Sequence, residues 1–457
     1  MLHLNTSPRL KRSVFRPLLA ALALGLASST ASAVENLERQ ELKFGFIKLT
    51  DCAPLVVAYE KGFFEDEGLF VTLEAQANWK VVLDRVIDGS LDGSHMLPGQ
   101  PLGTSVGIGT QADLVTPFAM GVNTLAVTVS NAVWAKMKPA VAAADGKPVH
   151  PIKADALKPV VDEFRGAGKK FNLAMVFPTS THNYMLRYWL AAGGISPGYY
   201  SAADSTGQTD GDVLLSVTPP PQMPATLESG TINGYSVGEP WNQQAITKGI
   251  GVPVITADEI WGQTPEKVFG MRADFTAKNP NTTKAVVKAL IRAAVWLDAE
   301  GGANRKELAQ ILSRPDYVGA DVSVIEGPIT GQYQFEKGDV RAKPEFNLYF
   351  RDHASYPFYS DAVWFLTQMR RWSQIAEAKP DSWFDATAHK VYRPDLYAAA
   401  AEELVKDGKL KATDLPGGDG YKAPTTAFID GIEYDGKHPN AYIAKFAIGH
   451  KDAIAAK

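Results

Sequence analysis

The chain has 457 residues, of which 45% are hydrophobic and 21% are charged, values typical of an ordinary globular protein. Its 46 basic and 50 acidic residues give a net charge of -4, which argues against general nucleic-acid binding. The single cysteine excludes an internal disulfide, and the length allows two or three domains.

Residues 1–33 predict a secretory signal peptide that is cleaved. Four basic residues within 9–16 precede an apolar run over 17–26, and small residues at 31–33 form a cleavage site. The apolar run is too short to span a membrane. We therefore expect a periplasmic protein. Removing those four basic residues from the 46 leaves 42 against 50 acidic ones, a net charge of -8, so an anion must be held by local donors.

The chain after the signal segment opens with alternating strand and helix patterns. This rhythm predicts a parallel sheet covered by helices. The apolar, β-branched stretch over 114–130 then predicts buried strands or a crossing segment. The alternating elements are strands over 43–49, 70–75 and 92–97 and helices over 54–67 and 79–87.

A second α/β unit follows a Lys-, Ala- and Pro-rich stretch over 134–168, which predicts a surface insertion. The Ser/Gly/Asp-rich residues 199–211 are typical of a loop, and an amphipathic pattern predicts a long helix over 279–300. The other predicted elements are strands over 171–177, 213–217, 233–237, 252–256 and 268–273, and helices over 181–192, 222–227, 306–312, 357–376 and 394–406.

A chain that leaves one α/β unit, builds another and returns predicts a two-lobed α/β fold. Each lobe is expected to be a mostly parallel sheet flanked by helices. We expect residues 34–128 to begin the first lobe, 129–256 to form the second, and 257–457 to return to the first and add a helical C-terminal extension. In such folds ligands bind at strand C-termini and helix N-termini, between the lobes.

The segment before the predicted helix at 181–192 is one candidate anion site. A helix N-terminus offers unpaired N–H groups and a partial positive charge. The hydroxyls of Thr179, Ser180 and Thr181 would add donors, and so would the ring of His182. The alternative is that Thr179 or Thr181 only caps the helix and that His182 lies on the surface. The sequence leaves both open.

Further candidates stand at strand ends. Lys267 precedes an apolar strand, where a lysine is most often solvated. Gly238 allows close backbone approach, while Glu239 would repel an anion unless it pairs with a cation such as Lys267. Trp79 and Trp241 would offer an aromatic face to a flat anion, although a core position is commoner for such residues.

Enzyme and metal motifs give no support for catalysis. G-x-S-x-G occurs at 103–107 (GTSVG), 194–198 (GISPG) and 234–238 (GYSVG), but none of these lies between a predicted strand and a predicted helix, as a nucleophile turn would. The sequence contains no H-E-x-x-H, no P-loop and no G-x-G-x-x-G after a strand. His95, at a strand end, is a candidate ligand or metal residue, with a satisfied core histidine as the default. Because no His, Cys or Asp cluster has metal-ligand spacing, we expect no enzyme activity, no metal and no cofactor.

Several motifs together resemble known solute-binding proteins. The stretch 58–64 (AYEKGFF) resembles the opening of nitrate, sulfonate and pyrimidine-type solute-binding proteins. Sharper stretches resemble the nitrate- and bicarbonate-binding proteins of ABC importers, with the similarity running from about residue 42 to 299. These sharper stretches are 181–195, 219–223 (PPPQM), 237–242 (VGEPWN) and 265–274.

That resemblance implies a monomeric clamp that binds nitrate or nitrite and delivers it to a membrane permease with its ATPase. It places Trp79, His182, Gly238 and Lys267 in the anion pocket. Lysine at 267 is typical of the nitrate branch, because the bicarbonate branch has an acidic residue there and uses calcium. The nitrate branch has a glutamine donor where this chain has Leu125. The alternatives are another small solute (bicarbonate, cyanate or a sulfonate), a nitrate-sensing regulator, or an enzyme like those of pyrimidine synthesis.

Overall fold

The computed structural model describes residues 36–449. The predicted signal peptide lies outside the described residues. Two five-stranded sheets, each flanked by helices, organise the described part of the chain, as the sequence predicts. Within that part, no helix is both long and apolar enough to cross a membrane.

The first sheet holds the strands predicted for the start and the return of the chain. Four of its five strands run in one direction, and Pro265–Arg272 runs against both of its neighbours. The strands, in spatial order, are Phe70–Ala75, Glu41–Phe46, Gly93–Met96, Pro265–Arg272 and Leu114–Val122. The helices of this part are Ala53–Glu60, Phe63–Asp66, Trp79–Ile87, Gly99–Ser105, Ala273–Lys278 and Pro280–Asp298.

The second sheet has the same plan. Four strands again share a direction, and Leu125–Ser130 runs against its neighbours. The strands, in spatial order, are Gly251–Thr256, Leu125–Ser130, Gly234–Gly238, Phe171–Met175 and Val213–Val217. The helices of this part are Asn131–Val141, Lys158–Gly166, Thr181–Ala192, Met223–Glu228, Trp241–Lys248 and Ala257–Ile260.

The chain crosses between the sheets twice, first at residues 123–124 and again within 257–264. In each sheet, the reversed strand is the one that enters directly after a crossing. Asn123, with φ 61°, makes the turn of the first crossing, and asparagine tolerates this left-handed conformation better than most residues. The predicted lobe boundary at 128 therefore falls inside a strand of the second sheet, and the division into lobes stays a prediction.

Two predicted segments differ from the structure. The helix predicted over 54–67 is two helices, because Gly62 adopts φ 70° and ends the first one. The predicted loop over 199–211 contains a hairpin of Tyr199–Ser201 and Asp204–Thr209. The Asp204 carboxylate accepts backbone N–H groups of this hairpin, so a residue type common in loops supports a short sheet here.

The segment after residue 300 packs against both lobes. Its helix Tyr359–Arg371 contacts Gly99–Ser105 of the first lobe and Thr181–Ala192 of the second. The backbone N–H of Tyr200 donates to the carbonyl of Trp372. The other elements are helices Arg305–Leu312, Val322–Ile329, Asp381–Val391, Pro394–Lys406 and Pro439–Ala444, and a hairpin of Gln332–Glu336 and Asp339–Ala342.

Candidate functional site

A cluster of buried polar side chains lies where the two crossings pass between the sheets. Asp51 and His95 come from the first lobe, Thr124 comes from the first crossing, and Glu266 and Lys267 come from the strand after the second crossing. Each of these five residues is at most 1% exposed. We call them the Lys267 cluster. Charged side chains this deeply buried need partners, because water cannot solvate them.

The ammonium of Lys267 forms the centre of the cluster. Its Nζ donates to Asp51 Oδ2 at 2.6 Å and to Glu266 Oε2 at 3.3 Å. Neighbouring residues of a regular strand point to opposite faces. Here the pairing register shifts on both sides of Lys267, and this irregularity lets two consecutive side chains meet. The ring of Trp79 lies 5.7 Å from Nζ.

Asp51 has three partners within the cluster. Besides Lys267, Thr124 Oγ1 donates to Oδ2 at 3.1 Å, and His95 Nε2 lies 2.9 Å from Oδ1. The other ring nitrogen of His95, Nδ1, accepts the backbone N–H of Ile47 at 3.3 Å, so the ring proton belongs on Nε2, facing Asp51. His95 is therefore a buried histidine with one hydrogen-bonded ring nitrogen and the other beside Asp51, which favours the core interpretation of its sequence position.

The two carboxyl groups of the cluster titrate very differently. Burial alone would raise the pKa of Asp51, but Lys267 and His95 more than offset this and hold the pKa well below its usual range. Burial raises the pKa of Glu266 to about 8, because the single ammonium offsets only part of the desolvation and Asp51 adds a negative charge. Burial opposes the charge of Lys267, yet the two carboxyls raise its pKa. At neutral pH the cluster therefore holds one ammonium, one carboxylate and one carboxylic acid.

His182 faces the same space from the second lobe. It is fully buried, so the surface alternative for this residue is wrong. Neither ring nitrogen has a hydrogen-bond partner within residues 36–449, and buried polar atoms in this state are uncommon. Burial, and then the charge of Lys267, lower the pKa of His182 well below 6.5, so the ring is neutral and one nitrogen carries a proton to donate.

Gly238 leaves room between the two lobes at this point. A Cβ atom at this position would lie 3.3 Å from Asp51 Oδ2 and 3.7 Å from His182 Nε2. Leu125 is the strand partner of Gly238, and side chains of directly paired residues share one face of a sheet. The fully buried Leu125 therefore points to the side on which His182 and Asp51 lie, and it brings no donor there.

Two of the hydroxyls at the start of helix Thr181–Ala192 are hydrogen-bonded within the fold. Ser180 caps the helix by accepting the backbone N–H of Asn183 at 3.0 Å. Thr181 Oγ1 donates to the carbonyl of Pro265 at 3.0 Å and lies 3.3 Å from that of Glu266. The capping alternative thus describes Ser180 rather than a threonine, and Thr181 ties the helix to the strand that carries Lys267.

Glu239 and Trp241 have partners outside the Lys267 cluster. The Glu239 carboxyl accepts the Tyr333 hydroxyl at 2.8 Å and the backbone N–H of Gln243 at 3.3 Å. Burial raises its pKa to about 7, with Tyr333 acting in the opposite direction. Trp241 Nε1 donates to the carbonyl of Lys48 at 3.0 Å. Lys267, considered from the sequence as a partner for Glu239, therefore pairs with Asp51 and Glu266 instead.

A groove of about 940 Å³ is bordered by Thr179, by Gln100 and by Gln374 of the segment after residue 300, and no residue of the Lys267 cluster lines it. Gln100 Nε2 donates to the carbonyl of Trp79 at 2.8 Å, which connects the groove to the helix that begins at Trp79. The indole N–H of Trp79 is buried and has no acceptor among the residues described. Of the three hydroxyl residues proposed for the anion, Thr179 thus borders the groove rather than the Lys267 cluster.

Sequence reasoning missed Asp51, Thr124 and Glu266. Asp51 follows the first strand of the first lobe, at the sheet edge where α/β folds bind ligands, and this position was the available signal. The role of Glu266 depends on a strand irregularity that no local pattern predicts. Across the described range, no group of three or more His, Cys, Asp or Glu side chains is arranged to hold a metal ion.

Two sheets of this topology, joined by two crossings with a polar cluster buried between them, define the two-lobed periplasmic-binding-protein fold. The chain belongs to the NMT1-like family, whose model matches residues 35–313. The structure of the periplasmic nitrate-binding protein NrtA from Synechocystis superposes with a TM-score of 0.76 at 32% identity, covering 90% of this chain and 100% of that one.

Two further relatives extend the similarity along the chain. The nitrate/nitrite binding protein NrtA of Synechococcus elongatus is 33% identical over 429 residues, which cover 91% of this chain and 88% of that protein. The nitrate import ATP-binding protein NrtC of Synechocystis is 35% identical over 438 residues. These cover 94% of this chain but only 59% of NrtC, so this chain spans about three-fifths of that protein's length.

Proposed function

We propose that this protein is the solute-binding component of an ABC importer and that it binds nitrate or nitrite beside Lys267. The carrying observation is that His182 is fully buried beside the Lys267 cluster, with both ring nitrogens unpartnered in the described structure. The indole N–H of Trp79 is in the same condition. A small anion supplies the acceptors that both donors lack, and the ammonium of Lys267 supplies the positive charge.

The side-chain donors around Lys267 can account for micromolar affinity. A hydrogen bond to a charged partner contributes about 1.5–3 kcal/mol net. Donation from Lys267, His182 and Trp79 would thus total roughly 5–9 kcal/mol before the costs of association, and micromolar affinity corresponds to about 8 kcal/mol. The ring of Trp79 lies 5.7 Å from the ammonium, which places this residue beside the proposed anion position.

The proposal also covers the location of the protein and its partners in transport. The protein would be exported through cleavage of residues 1–33, act in the periplasm as a monomer, and contact the membrane permease that an ATPase drives. One relative is a nitrate import ATP-binding protein by name and another is a nitrate/nitrite binding protein by name, which supports these partners. A role in catalysis is not proposed, because the relatives described above are named as binding and import proteins.

Because of Leu125, solutes other than nitrate should also be tested. The nitrate branch is expected to have a glutamine donor at this position, whereas Leu125 is apolar and faces the space beside Gly238. Bicarbonate, cyanate or a sulfonate would need a different set of donors. Lysine rather than an acidic residue at 267 weighs against the calcium-assisted bicarbonate mode.

The proposal is tested by calorimetric titration of the mature protein with nitrate, nitrite, bicarbonate, cyanate and taurine. We expect nitrate or nitrite to bind most tightly. Gly238→Ala should weaken that binding about tenfold, because overpacking costs about 1–3 kcal/mol and the added methyl group lies between Asp51 and His182. Gly166→Ala is the matched control, since its Cβ would meet nothing within 4 Å. Tightest binding of taurine or bicarbonate would reject the nitrate assignment.

A further inference from the structure

Two carboxyl groups share the single ammonium of the Lys267 cluster. Asp51 Oδ2 lies 2.6 Å and Glu266 Oε2 lies 3.3 Å from Lys267 Nζ. All three side chains are at most 1% exposed, so bulk water does not screen them. Two carboxylates and one ammonium in this space would carry a net charge of -1.

A net negative cluster is a poor receptor for an anion. His95 and His182 cannot correct the balance, because burial lowers the pKa of both rings and leaves them neutral. Like charges a few Å apart repel by about 4 kcal/mol near a protein surface, and by more at depth. An anion can therefore enter the cluster only if one of the two carboxyls carries a proton.

The contacts identify which carboxyl carries it. Asp51 is bonded by Lys267 and by Thr124 and lies next to the Nε2–H of His95. Glu266 has the longer contact to the ammonium. Asp51 Oδ1 and Glu266 Oε1 both have no hydrogen-bond partner in the structure from residue 36 to 449, but Asp51 Oδ1 lies 2.9 Å from His95 Nε2. A carboxylate with few donors is the one that gains most from protonation.

Resting on the proposed function, we propose that Glu266 is a ligand of the anion in its protonated form and donates a hydrogen bond to it from Oε1. The neutral acid does two things here. It removes the negative charge that would repel the anion, and it supplies a donor at a site where Leu125 supplies none. Glu266 thereby sets the upper limit of the pH range in which the protein binds its solute.

The groups that face Glu266 fix the shape of the pH dependence. The raised pKa of Lys267 and the lowered pKa of Asp51 keep both charged from pH 6 to 9. Burial lowers the pKa of His95 and of His182, which favours the neutral form of both rings. Glu239, behind Gly238, has a pKa of about 7 and has largely ionised by pH 8. With a pKa of about 8 for Glu266, its acid form falls to roughly one part in eleven at pH 9. The dissociation constant should therefore rise about tenfold between pH 6 and pH 9.

The experiment is a calorimetric titration of wild-type protein with nitrate and nitrite at pH 6 and pH 9. The buffers at pH 9 are two amines of different ionisation enthalpy, without carboxylate or sulfonate groups. Proton linkage predicts that about one proton is taken up with each anion at pH 9 and almost none at pH 6. This count uses the unchanged protein, so it decides the matter even if a variant fails to fold.

Glu266→Gln tests the assignment to this residue. Its amide donates at every pH, so we expect affinity within a few-fold of wild type at pH 6 and a loss of most of the tenfold change at pH 9. Asp361→Asn is the matched control, because Asp361 is a buried acid with a raised pKa that pairs with Lys422 on the tail. It should keep the wild-type pH dependence.

The outcomes separate the two proposals. Anion binding with no pH dependence, or with the same dependence in Glu266→Gln, would overturn the role of Glu266 and leave the proposed function standing. If neither anion binds to wild-type protein at pH 6, the proposed function fails and the role of Glu266 fails with it.

Discussion

Replacing Lys267 by methionine should lower the free energy of unfolding more than a surface substitution does. Methionine keeps most of the side-chain length but removes the ammonium that lies 2.6 Å from Asp51. Asp51 is 1% exposed and would keep only Thr124 and His95 as neighbours. Breaking one side of a buried ion pair costs about 3–5 kcal/mol. Because those two donors remain, we expect a loss of about 3 kcal/mol.

The assay is equilibrium denaturation in urea at pH 7, which reports the change in the free energy of unfolding. Lys343→Met is the matched control. Lys343 lies 2.6 Å from Asp258 and 3.1 Å from Glu259, so it also joins two consecutive acids, but the acids are 14% and 10% exposed. Water can reach them, and the loss in this variant should be clearly smaller.

A double variant and a change of pH sharpen the test. Asp51→Asn together with Lys267→Met leaves no stranded charge, so it should be less destabilised than Lys267→Met alone. In wild-type protein the lowered pKa of Asp51 gives stability that is present above its ordinary value and is lost only in strong acid. In Lys267→Met the unpaired carboxyl prefers the acid form, so the deficit should shrink from pH 7 to pH 5. A single variant within about 0.5 kcal/mol of wild type, or a double variant as unstable as the single one, would refute the reasoning.

Three further changes test the site. His182→Phe removes ring nitrogens that have no partner in the described structure. The free energy of unfolding without ligand, measured in urea, should therefore stay the same or rise, while nitrate affinity measured by calorimetry should fall about tenfold. A large loss of stability would count against an unpaired ring. Leu125→Gln should tighten nitrate binding about fivefold, since a hydrogen bond is worth about 1 kcal/mol, and unchanged affinity would mean that position 125 does not reach the anion. Glu239 has a pKa of about 7 in the folded protein, above its ordinary value, so it contributes stability at low pH that is lost as pH rises through 7. In Glu239→Gln, the urea midpoint should therefore decline less between pH 5 and 7.5 than in wild-type protein. An equally steep decline would contradict this.

The sequence predicts the regular elements well where local signals are strong. The helices at Trp79–Ile87 and Thr181–Ala192 begin and end as predicted, because capping side chains such as Asn78 and Ser180 start them. The strand Phe70–Ala75 also matches its prediction, since its apolar residues lie between clear turn signals. Local chemistry decides these boundaries, and it can be read from a few neighbouring residues.

The candidate site was predicted only in part because its contacts are long-range. Lys267 and His182 were singled out from the sequence, and both are buried and electrostatically coupled. Asp51 is 216 residues from Lys267 along the chain, and no spacing rule connects the two. Glu266 neighbours Lys267 in sequence, but a regular strand would have pointed it away. The shift in pairing register that brings it back is a property of the assembled sheet.

The segment after residue 300 changes what opening the cleft would involve. Helix Tyr359–Arg371 contacts one helix from each half of the molecule. The carbonyl of Trp372 accepts a hydrogen bond from the backbone N–H of Tyr200, and the backbone N–H of Arg393 donates to the carbonyl of Thr116 in the first sheet. Separating the two halves at this point would therefore require this helix to leave one of its two neighbours.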